Sequence, residues 1–141
     1  MGINLFRFFR SFSLNRLELS EILLNLLSHL YIRIYLIALI CINSLIWLLS
    51  YIINIQHINQ GLIILHYNVN FGVNLIGNAK KIYIVPILGL IIFVNNFFVL
   101  LGIYKFGQDK KFFGHLLLVS AVISNLLLLM AVISLYLINF R

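Results

Sequence analysis

Three long uncharged apolar runs alternate with polar stretches along the chain, at residues 34–55, 82–104 and 116–140. Each exceeds the roughly 20 residues needed to cross a hydrocarbon core of about 30 Å at 1.5 Å per residue. A backbone in lipid must satisfy its own hydrogen bonds. The pattern therefore predicts an all-α integral membrane protein with three transmembrane helices, at about 34–55, 82–104 and 116–139, despite many β-branched isoleucines. Pro86 falls in the first turn of the second run, where a missing N–H costs little.

Residues 1–32 read as a separate interfacial segment ahead of a three-span domain at 33–141. Phe6, Phe8, Phe9 and Phe12 with Arg7 and Arg10 suit the headgroup region. From Leu14 the spacing becomes helical. Leu17, Leu23, Leu24, Leu27, Leu30 and Tyr31 share one side, and Glu18, Glu21, Asn25 and Ser28 share the other. Asn15 and Glu18 resemble a capping box. The expectation is an N-terminal amphipathic helix lying on the membrane, with packing on a partner protein as the alternative. No Gly or Pro occurs between Gly2 and Gly61, so a bend before the first span and one continuous helix are both compatible with the pattern.

The stretch 56–81 is the longest polar one. Within 65–75, Leu65, Tyr67, Val69, Phe71, Val73 and Leu75 alternate with His66, Asn68, Asn70, Gly72 and Asn74, the period of a strand with one apolar face. A lone strand leaves both edges unpaired, so this β-like loop should fold back near Gly72 or pair with another chain. Tyr67, Val69 and Phe71 should then lie against helix ends or the interface. His66, Tyr67, Asn68, Asn70 and Gly72 form the candidate partner-binding loop. Residues 105–111, with Gly107, predict a tight helical hairpin between the second and third spans.

Composition agrees with the pattern. Of 141 residues 63% are hydrophobic and 9% charged, against about 25% charged in ordinary soluble domains. A soluble enzyme, a DNA-binding domain, a disulfide scaffold and a disordered tail are thereby excluded. The net charge of +7 rests on ten basic residues that punctuate the apolar runs. They do not form a nucleic-acid-binding stripe. Seven of them precede the first span or lie in 105–111, and three lie in 56–81 or at the C-terminus. The positive-inside rule then gives a cytoplasmic N-terminus, with the 56–81 loop and the C-terminus outside a bacterial inner membrane. Cys41 is the lone cysteine, which excludes an intramolecular disulfide, and Ile40 before it does not fit a lipoprotein signal. The first run starts too far along for a cleaved signal peptide.

The spans contain no Asp, Glu, Lys, Arg or His. Ion-coupled carriers usually need such a residue at membrane depth. There is no HExxH, GxSxG or paired Asp. The expectation is a non-enzymatic protein with no catalytic, cofactor-binding or metal-binding residue. His57 and His66 share the outer loop but lack a third ligand there, and His115 reads as interfacial. Asn43, Asn95, Asn96 and Asn125 lie near mid-span. They should act as helix-packing groups worth roughly 0.6–2 kcal/mol per contact, with a polar pathway as the alternative. Asn43, Trp47, Ser50 and Asn54 form one stripe, and Ser120, Ser124, Ala131 and Ser134 a small-residue stripe. Pro86, Gly89 and Asn96 thin one side of the second span.

His66, Tyr67, Asn68, Gly72, Gly77, Pro86 and Asn95 or Asn96 together resemble a motif of small uncharacterised three-span membrane proteins of candidate-phyla bacteria. A more distant likeness is to the unknown-function domain accompanying the sporulation-delaying-toxin immunity family. The similarity covers about 62–138. The pattern carries an acid near Asn74, and none is present here. The resemblance implies no established activity. The expected role is structural or partner-binding through the 56–81 loop. Its partners would be the bilayer and either a protein or a second copy. The alternative is a small membrane subunit of a larger transporter or respiratory-type assembly.

Overall fold

The computed structural model describes residues 16–57, 61–68, 70, 72–106 and 109–140. The Phe- and Arg-rich N-terminus, the Asn15 cap, Val69, Phe71 and Gly107 lie outside the described residues, as do the side chains of Tyr67 and Asn68. Helix α1 covers Arg16–Ser28 and α2 Leu30–Gln56. Strands β1 (Leu62–Asn68) and β2 (Gly72–Asn78) follow, then a 3-10 turn at Ala79–Tyr83, α3 at Ile84–Phe106 and α4 at Lys110–Asn139.

Three segments, Leu30–Gln56, Ala79–Lys105 and Lys110–Asn139, are long and apolar enough to cross a membrane. All three extend past the uncharged runs, because a helix continues through flanking residues such as Arg33, Lys110 and Lys111 whose long side chains reach outward. Helix α4 packs along both α2 and α3. Less than a third of each apolar stretch is buried inside the protein, and Ile37, Leu48, Ile91, Phe98, Leu127 and Met130 face outward.

The interior has two apolar clusters. One contains Leu26, Ile32, Leu39, Leu100, Tyr104, Leu118 and Ala121, and the other Ile46, Ile53, Ile63, Ala79, Ile82 and Val132. The second seats the hairpin on the helix ends. Asn43 and Asn125 are buried at sequence positions between the two clusters.

Helices α1 and α2 are separate. His29 breaks them with an extended backbone, φ −78° and ψ 117°, without help from Gly or Pro. The apolar side of α1 is wider than Leu23, Leu24 and Leu27, and it divides in two. Leu26 is buried and Leu19, Ile22 and Leu23 pack beside it, while Leu24 and Leu27 are 70% and 42% exposed. At 100° per residue these are neighbouring arcs. One meets the bundle and one is open and apolar, while the polar arc includes Glu21 and Asn25.

The chain folds back before Gly72, whose φ of +77° favours glycine. β1 and β2 pair antiparallel, from Leu62 opposite Asn78 to Asn68 opposite Gly72. Leu65 and Asn74 have no directly opposed partner, so each strand carries one extra residue and the shifts cancel. Among the described side chains of 65–75, the apolar ones do not share one buried face. Ile63 and Gly77 are buried and Leu65 is half-buried, while Val73 and Leu75 are exposed. Among the described side chains of the hairpin, inward packing lies in the half nearest the helices. Leu65 Cδ1 lies 2.6 Å from where a Cβ on Gly77 would be, so that glycine makes room for it.

Candidate functional site

Midway along the bundle, one carboxamide from α2 and one from α4 meet the backbone of α3. Asn43 Nδ2 donates to Asn125 Oδ1 and to Pro86 O, both at 3.3 Å. Asn125 Nδ2 donates to Gly89 O at 3.4 Å and to Ala121 O at 3.1 Å. A Cβ on Gly89 would lie 2.6 Å from both side-chain amides, so glycine there lets them reach the α3 backbone. Asn96 Nδ2 donates to Ile92 O at 2.9 Å, and Asn96 Oδ1 accepts from Ser120 Oγ at 3.4 Å. Asn95, one residue away, is exposed on the outer face of α3.

The two predicted stripes divide. Asn43 and Ser50 are buried, whereas Trp47 turns outward beside Tyr83 at 5.8 Å between ring centroids. The Ser50 hydroxyl is buried with no hydrogen-bond partner among the described residues. Ser120, Ala131 and Ser134 are exposed and Ser124 is half-buried, so the small-residue stripe is not a buried packing face.

At the hairpin end His66 is exposed, with Nδ1 3.3 Å from Asn74 Oδ1. His57 is engaged elsewhere, with Nδ1 3.0 Å from Ile53 O and its ring edge-on to Phe140. Among the described residues no group of His, Cys, Asp or Glu could hold a metal ion. Sequence reasoning missed Asn139. Its Oδ1 accepts from the Ile64 N–H at 2.9 Å, and its Nδ2 donates to Ile64 O at 2.9 Å. Directly opposed residues in an antiparallel pair either bond each other or both point outward. Ile64 points outward to Asn139, so its opposite residue, Ile76, points its N–H and C=O away on the other edge. Ile76 is 59% exposed, and Leu75 beside it 53%.

The other end of the bundle holds a group that sequence reasoning left scattered. His29 at the α1–α2 corner lies 5.7 Å from the Tyr31 ring and 6.1 Å from the Tyr104 ring. Tyr31 stacks on His115 at 4.4 Å, and its hydroxyl is 3.0 Å from that of Tyr104. The Tyr35 hydroxyl is 3.3 Å from His115 Nδ1. Gly114 leaves room for Tyr31, whose hydroxyl would be 3.2 Å from a Cβ there. Lys110 Nζ sits 5.8 Å from the Tyr104 ring centroid, a cation–π contact. The available signal was that His, Tyr and Lys all flank the ends of apolar runs that an antiparallel bundle brings to one end.

No family profile, curated protein or solved structure matches the chain.

Proposed function

We propose that this is a non-enzymatic, three-span protein of the bacterial inner membrane that presents the free edge of its hairpin to a protein partner outside the cytoplasm. The outward apolar surface of the helices supports insertion. So does helix length: α3 alone has 23 residues, roughly 35 Å at 1.5 Å per residue, enough to cross the hydrocarbon core. The basic-residue count supports the orientation.

The observation that carries the partner role is the difference between the two hairpin edges. Asn139 covers the β1 edge at Ile64, while β2 turns the Ile76 backbone outward amid exposed Val73 and Leu75. Open strand edges template pairing with another extended chain, and neighbouring side chains then supply selectivity.

A photo-crosslinking residue in place of Leu75 tests this in living cells. It should capture a protein in a band that Ile76→Pro abolishes, since proline removes an outward N–H that the β1–β2 ladder does not use. A band that survives Ile76→Pro would count against edge pairing. Its mass separates a second copy from a different chain.

Asn95 favours the subunit reading as an addition. An amide exposed at mid-helix is costly in lipid and is relieved by a neighbouring helix offering a donor and an acceptor.

A further inference from the structure

The aromatic–histidine end of the bundle borders an open cavity of about 420 Å³ lined by His29, Tyr31, Tyr104, Lys110 and Lys111. The same lysines also line an adjoining cavity of about 580 Å³ with Asp109, Phe112 and His115. Two ammonium groups thus stand between two concave surfaces, with one carboxylate on the far side. The positive charge exceeds the negative there.

Tyr31 is held between His29 and His115, and its hydroxyl is tied to Tyr104. Each neutral imidazole carries one N–H donor, and each tyrosine hydroxyl can donate or accept. Lys110 rests over the Tyr104 ring at the cavity wall, and Lys111 is exposed beside it. Imidazole and phenol donors next to two ammonium groups form a receptor for a compact, multiply accepting anion. Carboxylates offer two oxygens; a phosphate group offers more and tolerates the off-centre approach of lysine.

We propose that this cavity binds a phosphate group, carried either by an anionic phospholipid headgroup or by a free phosphate compound. The ends of membrane-crossing helices lie at headgroup depth, where an anionic leaflet attracts basic side chains. The lipid source rests on the membrane reading. The cavity itself is independent of the hairpin edge.

The test uses the full chain in detergent micelles, so its outcome does not depend on hairpin partners or on orientation in cells. Native mass spectrometry would follow retention of phosphatidylglycerol, with phosphatidylcholine as the neutral control. Lys110→Gln/Lys111→Gln should lower phosphatidylglycerol retention about tenfold or more. Lys80→Gln/Lys81→Gln, at the hairpin end, should leave it unchanged. Lys111→Gln alone, which keeps the Lys110–Tyr104 contact, should give an intermediate loss. All four lysines are exposed, so melting temperatures should not separate the variants without ligand.

Inorganic phosphate distinguishes the sources. If it raises the melting temperature and displaces the lipid with the same lysine dependence, a phosphate group alone suffices. If it does neither while the lipid is retained, the ligand is the headgroup in its membrane setting. Equal retention by all variants, equal losses in both double variants, or no binding of either probe would overturn the proposal.

Discussion

The side-chain amide of Asn139, at the end of α4, bonds both backbone groups of Ile64 on β1 at 2.9 Å. One residue thereby occupies the place of a third strand. Its Nδ2 also donates to Leu135 O at 2.8 Å, which fixes the rotamer. Asn139→Leu should leave insertion intact and speed amide exchange at Ile64 by about tenfold or more, since a hydrogen bond is worth about 0.5–1.5 kcal/mol net and two are lost. Exchange at Ile63, whose backbone faces β2, should change less. Equal acceleration at both would mean that the whole hairpin has detached.

Gly89 leaves no room for a methyl group beside the central amides. A Cβ there would approach both Asn43 Nδ2 and Asn125 Oδ1 at 2.6 Å, and overpacking of this kind costs about 1–3 kcal/mol. Gly89→Ala should lower stability in detergent by that amount. Gly102, with nothing within 4 Å of a Cβ, should accept alanine without loss. Denaturation of the two variants side by side gives the comparison.

Removing one amide of the central pair leaves the other short of a partner. Asn43→Leu and Asn125→Leu should each cost about 0.6–2 kcal/mol. Because the two share a hydrogen bond, the double variant should lose less than the sum. Strict additivity in a double-mutant cycle would show that the pair is uncoupled.

Ser50 predicts the opposite sign. Its buried hydroxyl has no partner among the described residues, and an unsatisfied buried polar group costs about 1–3 kcal/mol. Ser50→Ala should therefore match or exceed the parent in unfolding temperature. A clear loss would reveal a hydrogen bond that Ser50 forms in the membrane.

The three long helices were legible because lipid-length apolar runs leave the backbone few other conformations. The fold-back at Gly72 was legible as one of two outcomes of the alternation. What escaped depends on contacts distant in sequence. The cover of Ile64 comes from Asn139, which reads on its own as the polar end of a span. The break at His29 has no Gly or Pro to mark it, and the ring then lies beside Tyr31 and Tyr104. The face of α1 that packs on the bundle is not marked in the sequence, because its apolar residues cover about half the helix circumference. Only the position of the bundle decides that Leu26 goes inside while Leu24 stays out. Among the mid-span asparagines, sequence could not separate Asn96, which meets Ser120, from its neighbour Asn95 on the outer face.

Labelling with a membrane-impermeant maleimide tests most directly that the helices cross the membrane and set the hairpin outside. In a Cys41→Ser background, single cysteines would be introduced by Asn70→Cys, at the hairpin tip, and Asp109→Cys, between α3 and α4. Both positions are exposed. The cysteine at 70 should label in intact cells, or in spheroplasts where an outer barrier blocks access, and that at 109 only after lysis. The reverse pattern would invert the orientation, and equal labelling of both in intact cells would contradict a membrane-crossing pair of helices between them.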